Sequence, residues 1–356
     1  MTAKILCILL DLVCLISNEA FVCKSPQLVT LRNCFKISHT IATYSSLLPV
    51  MIDIQKLIDE HKINNIEELQ ALLDHELKKQ NAAPVSDFLG LSRDQMYVLF
   101  HDPFSENSPL GFRDCSDADL DKIPFLRVCE RILQCTVLRQ TPFKLTTSTA
   151  SLPVNTVREV YQGGFIKEEI LESGFHKLNK ESNATSLHVA KITLELAGVV
   201  RKANNHWHLT KKGAQLARPE QRNALFQEIF KAFTQSYNWA YLDGFYHLDE
   251  QLARAGFGFS MAMFAHFGGE VHSHQFYAER YMKAFPAFLT HTPEQTPGAI
   301  TSNDFFYCYG IRTFERFAYW FGLMEKISED NFRSFEGSTS KKTAILERAF
   351  RLPALS

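Results

Sequence analysis

No charge of one sign dominates this 356-residue sequence, in which 38 Lys and Arg stand against 39 Asp and Glu. That balance excludes a protein that holds long nucleic acid by bulk charge, because each neutralised phosphate needs a cation. A local basic face stays open. None of the eight cysteines forms a pair with the two-residue gap of a zinc knuckle or redox motif. Scattered thiols of this kind point to buried sulfurs in a reducing compartment, so a cytoplasmic location is expected. The apolar run Ile5-Leu6-Cys7-Ile8-Leu9-Leu10, broken by Asp11 before Leu12, is too short to span a bilayer. A Ser-centred nucleophile elbow, a phosphate loop and an HExxH pair are all lacking. Gly256-Phe257-Gly258-Phe259 lacks the third glycine of a dinucleotide loop and reads as a bend between closely packed helices. No cofactor is expected, and a non-enzymatic role is favoured over catalysis.

What is present is helical grammar with one distinct interruption. Residues 152–218 run helix, helix, short strand, polar turn, short strand, helix. Val154, Val157, Val160 and Tyr161 recur at helical spacing, and Gly163-Gly164 stops that run. The next helix starts near Thr185 or Ser186, either of which can cap it, and carries Leu187, Ile192, Leu194, Leu196 and Ala197 to its stop at Gly198. Strands are expected at 198–201 and 206–209, joined through Lys202-Ala203-Asn204-Asn205, because Asn tolerates the positive φ of tight hairpins. Thr210 then stands at the N-cap position before Lys211-Lys212-Gly213. This order is a winged-helix pattern. The fold class expected is mainly α with small β wings: winged-helix-like modules within a multi-helix protein.

The flanks divide by composition. Residues 1–50 form an N-terminal extension with four of the cysteines, and three readings stay open for it: an over-called start, a weak export signal, or an ordinary helix. Residues 51–144 read as a helical domain, 145–218 as the winged-helix-like domain, 219–300 as an aromatic-rich helical domain and 301–356 as a second winged-helix-like domain. Stripes at Ile54, Leu57 and Ile58, then at Ile66, Leu69, Leu72, Leu73 and Leu77, mark the first helices. Ser92 with Gln95 has capping-box spacing. Pro124 opens a helix bearing Leu126, Val128, Cys129, Ile132 and Leu133. The 29 Phe, 11 Tyr and 3 Trp concentrate after residue 220 at helical spacing, which implies an aromatic core rather than a platform for stacking bases. In the last segment a helix ends at Gly322, and residues 331–335, a turn at Gly337 and residues 341–344 form a candidate wing.

With Leu209-Thr210-Lys211-Lys212-Gly213, the block Tyr237-Asn238-Trp239-Ala240-Tyr241-Leu242-Asp243-Gly244, and Arg312 and Arg316 on one helix, the chain resembles a family of uncharacterised bacterial proteins across about residues 51–350. The resemblance implies no activity and transfers no site residue.

Two constellations carry candidate chemistry. For nucleic acid, the helix 186–197 should turn His188, Lys191 and Glu195 outward, with Arg201 and Lys202 in the wing and Lys211 and Lys212 at the next helix start. Over 151–220, ten Lys and Arg against seven Asp and Glu leave a surplus of three (10 − 7), a modest excess. For metal, His272 and His274 could share one side of a strand, near Glu270 and His266, with His247 and Asp249 as remote candidates. His206 and His208 flank Trp207 and should face solvent while the indole packs inward. Duplex DNA and a protein partner, with the winged helix then purely structural, are the two partner classes expected. A metal-dependent enzyme is a distant third.

Overall fold

The computed structural model describes residues 66–137, 143–147, 149–290, 302–328 and 337–355. The N-terminal extension, the stripe at Ile54, Leu57 and Ile58, and the candidate wing strand at 331–335 lie outside these residues. The chain divides into two compact units, Met1–Asp74 and His75–Ser356, and helix α1 (Ile66–Ala82) runs across the boundary. The second unit is mainly α with small β wings. Its sheets have two or three strands each.

Helix α2 (Arg93–His101) starts on the capping box read from the sequence: Gln95 N donates to Ser92 Oγ, and Ser92 N donates to Gln95 Oε1. The segment before it is a single 3-10 turn at Ser86–Phe88. Strand β1 (Gly111–Phe112) follows.

The first module comprises α3 (Pro124–Val137), β2 (Phe143–Lys144), α4 (Val154–Tyr161), α5 (Thr185–Leu196), β3 (Val200–Ala203), β4 (His206–Leu209) and α6 (Lys211–Leu216). Its sheet is antiparallel in the order β2-β4-β3, with Phe143 opposite Trp207 and Val200 opposite Leu209. Strand β3 reaches two residues further than the sequence suggests, taking in Lys202 and Ala203. The turn is therefore Asn204-Asn205 alone, at φ 49° and 55°, the left-handed pair that a two-residue hairpin demands. Strand β2, placed by composition in the preceding domain, is the third strand of this sheet.

Thr210 closes the module. Its Oγ1 accepts from Gly213 N at 2.9 Å and lies 2.8 Å from the carbonyl oxygen of Gly198. Gly213 is required for close approach, because a Cβ there would lie 1.9 Å from the Val199 carbonyl oxygen. Gly198 ends α5 at φ +68°, a conformation that a side chain disfavours.

Helix α7 (Arg222–Lys231) continues into a π turn at Ala232–Ser236 and leads to an irregular loop, residues 237–256. The second module then repeats the order of the first: α8 (Phe257–Phe267), β5 (His272–Ser273), α9 (His274–Ala284), α10 (Ser302–Tyr309) with its π continuation Gly310–Ala318, β6 (Met324–Ser328), β7 (Thr339–Lys342) and α11 (Ala344–Ala349). Its sheet order, β5-β7-β6, is the same one-three-two arrangement. Gly322 at φ +64° ends the third helix as Gly198 does. Thr343 takes the place of Thr210, its Oγ1 donating to the Gly322 carbonyl at 2.5 Å. The second wing strand is 339–342 rather than 341–344, since Thr343 caps the helix that follows. Strand β8 (Phe350–Arg351) pairs with β1.

One apolar cluster underlies both modules. Phe230 on α7 meets Phe321 and Phe350 at centroid distances of 4.9 and 4.7 Å, and Phe125 on α3 stacks on Trp320 at 5.4 Å. The aromatic residues after 220 are thus mostly packing.

Candidate functional site

The residues proposed from sequence separate into two groups. Lys191 is not on an outer face. It is buried, its Nζ donating to the Ala150 carbonyl at 2.7 Å and lying 3.6 Å from Glu181 Oε1. His188 and Glu195 are half-buried and engaged. His188 Nδ1 sits 2.6 Å from Glu181 Oε1, and Glu195 Oε1 accepts from Trp207 Nε1 at 2.9 Å. The expectation of an outward-facing helix therefore fails. The residues supposed to be exposed instead form polar ties that hold α5 in place.

Three neighbours cover α5. The carboxylate of Glu168 sits on its N-terminus, accepting from Thr185 N and Ser186 N at 2.8 Å each and from Ser186 Oγ at 2.7 Å. An acid there satisfies the orphan amides and the positive end of the helix, the role assigned from sequence to Thr185 or Ser186. Glu181, fully buried, accepts from Leu152 N at 2.5 Å and binds His188. Tyr241 in the loop reaches His188 Nε2 at 3.3 Å.

That same loop is gripped from the second module. Arg312 Nη1 donates to the carbonyls of Asp249 and Leu252 at 2.7 and 3.1 Å, and Arg316 Nη1 donates to that of Tyr241 at 2.7 Å. Burial lowers the Arg316 pKa from its ordinary value. Residues 237–256 are thus held between the third helices of both modules.

Arg201, Lys202, Lys211 and Lys212 are all exposed. Lys212 is tied to Glu228 and to the Ala197 carbonyl. Trp207 and Phe143 point into the core, at 0% and 1% exposure, so the opposite side of the sheet faces outward. That side carries Lys144 beside His206 and Arg201 beside His208. The two imidazole rings lie 6.2 Å apart, half-buried, as the alternation implies.

Sequence reasoning missed Lys144 because β2 is two residues long and gives no periodic signal. A second signal was legible yet unused. No Asp or Glu occurs from 131 to 158 or from 196 to 219. The fold joins these two acid-free stretches in a single sheet. The second module differs at the equivalent site, where Glu325 pairs with Lys341 in place of Arg201 with His208.

The histidine pair considered for metal does not converge. His272 stacks on Phe276 at 4.1 Å, whereas His274 stacks on Phe314 at 3.8 Å. His274 is buried, its Nε2 lying 2.8 Å from Tyr319 Oη and 2.9 Å from Ser340 Oγ. Desolvation, aided by the Lys326 charge, pushes its pKa down to about 3. Among the described residues, no three His, Cys, Asp or Glu side chains gather as a metal site. The four cysteines described are buried free thiols. No helix among the described residues is long and apolar enough to cross a membrane. No protein-family model, curated protein or solved structure gives a significant match to this chain.

Proposed function

We propose that this chain is a nucleic-acid-associated protein of regulatory type, and that its first module is a winged helix that meets the phosphate backbone with its sheet and wing. The observation that carries this reading is the outer sheet face, where Lys144 and Arg201 stand exposed, each within an acid-free stretch of chain. Lys202 and Lys211 extend the same charge along the wing and the start of α6. Cations grouped without interspersed acids release counterions from a polyanion, which a net charge near zero does not prevent. The sheet order and the closing Thr210 cap support the winged-helix assignment, and the repeat of both features in the second module supports a tandem pair.

The test is an anisotropy titration on a duplex at low and raised salt. Affinity should fall as salt rises, and Lys202→Glu with Lys211→Glu should abolish binding. Each lost phosphate contact should lower the salt slope by about one. Absence of binding at low salt contradicts the reading.

A protein-docking role is the second reading. Tyr241, Leu242 and Tyr246 are 43%, 47% and 85% exposed on a loop pinned by two arginines, with Leu242 at φ +58°. Exposed apolar side chains on a rigid, strained loop are suited to a partner surface. Light scattering of the purified protein, alone and with Tyr246→Ser, tests it. A monomer at all concentrations with no associated chain counts against it.

A further inference from the structure

We infer that the outer face of the first sheet takes the backbone of duplex nucleic acid without reading its bases. This rests on the nucleic-acid reading above and narrows it. A winged helix that reads sequence sends the third helix into the major groove, its N-terminal residues to the base edges. Helix α5 has no such surface. Leu196, at its far end, is the one exposed residue of the helix. Its first turn is closed by the Glu168 carboxylate, a fixed negative charge where a phosphate or base edge would have to come. Its polar side chains are engaged: His188 with Glu181 and Tyr241, Lys191 with the Ala150 carbonyl, Glu195 with Trp207. The third helix of the second module is committed as well, with Arg312 and Arg316 holding the loop backbone.

The contact left is electrostatic and lies on the sheet. Lys144 and Arg201 on that face, with Lys202 opposite Trp207 on the other side of the wing and Lys211 at the start of α6, are point charges or forks that suit phosphate oxygens and that carry no base code. The large rings of the strands, Phe143 and Trp207, are buried, which leaves only the half-buried imidazoles of His206 and His208 to meet a base on this face. The equivalent face of the second module sets Glu325 against Lys341, so it adds no second polyanion site. A row of phosphodiesters is the ligand chemistry, and a duplex or a free polyphosphate could supply it. Duplex fits this face better, since its two backbones present charge twice as densely as one strand.

The experiment is competition anisotropy with the whole protein, using a labelled random-sequence duplex as probe. Unlabelled duplexes of several unrelated sequences should compete equally, within about threefold. A single strand of the same length, and polyphosphate at equal phosphate concentration, should each compete more weakly. Lys144→Glu with Arg201→Glu, both exposed on that face, should abolish binding without moving the melting temperature. Lys177→Glu with Lys180→Glu, exposed beside the N-terminus of α5, should leave binding unchanged. A preference for one sequence beyond about tenfold, where specific sites commonly gain 10³-fold or more, overturns the inference while sparing the nucleic-acid reading. So does a loss of binding in the 177/180 variant. Equal competition by polyphosphate or single strand overturns the assignment to duplex. No binding to any nucleic acid at low salt sinks the reading itself.

Discussion

Arg312 Nε donates to Asp243 Oδ2 at 2.6 Å, and neither side chain is exposed. The bond joins the π segment of the second module to the loop that also touches α5. A π turn displaces the helix backbone by one residue, and such turns recur where a side chain must be re-aimed. Breaking a buried pair from one side strands a charge and costs about 3–5 kcal/mol. Arg312→Met or Asp243→Asn should each lower urea-unfolding stability by about that amount. Arg312→Met with Asp243→Leu should cost clearly less than the sum of the single changes. Strict additivity would show that the pair is not coupled.

His274 should make the fold acid-sensitive. Its folded pKa, about 3, is depressed below the unfolded value of 6.5 because burial disfavours the imidazolium. Between those values the unfolded chain binds the extra proton, so stability is complete above about pH 6.5 and falls as pH drops toward 3. The slope reaches about 1.4 kcal/mol per pH unit within that window. Melting temperature against pH should flatten in His274→Gln, which retains a polar group toward Tyr319 and Ser340. An unchanged profile in the variant would assign the acid sensitivity elsewhere.

Gly213→Ala should destabilise the first module. The added Cβ meets the Val199 carbonyl oxygen at 1.9 Å, and backbone cannot yield as a flexible side chain does. A loss of about 1–3 kcal/mol is expected, read from thermal unfolding. A neutral substitution would mean that the join between α6 and β3 is looser than its geometry implies.

Glu181→Gln should loosen the loop as well as α5. Its carboxylate holds Leu152 N and His188 Nδ1, with Lys191 at 3.6 Å, so neutralising it leaves a buried cation without its closest acid. Faster amide exchange is expected both in 185–196 and around Tyr241. Exchange confined to residues beside 181 would contradict the link through His188.

Local chemistry made much of the architecture readable in advance. Thr210, Gly198, the Asn204-Asn205 turn and the Ser92–Gln95 box each express a short-range requirement, so their roles follow from neighbouring residues. The orientation of α5 does not. Its periodicity says which residues can share a side, and Lys191 belonged outside on polarity alone. Glu181, ten residues upstream, and Ala150, 41 residues upstream, turn it inward, and neither is visible to a local pattern. Lys144 was missed for the converse reason: a two-residue strand gains its meaning only from the partner it pairs with. The second module was readable in outline from Gly322, whereas its Glu325–Lys341 pair depended on strand register.

Lysine footprinting tests most directly whether the sheet, and not the helix, is the contact surface. Acylation by an amine-reactive reagent, followed by peptide mass spectrometry, compares each lysine with and without saturating duplex. Lys144, Lys202 and Lys211 should be protected, while Lys177 and Lys180 react as in the free protein. Protection of Lys177 and Lys180 with continued reactivity at Lys144 and Lys202 would contradict it.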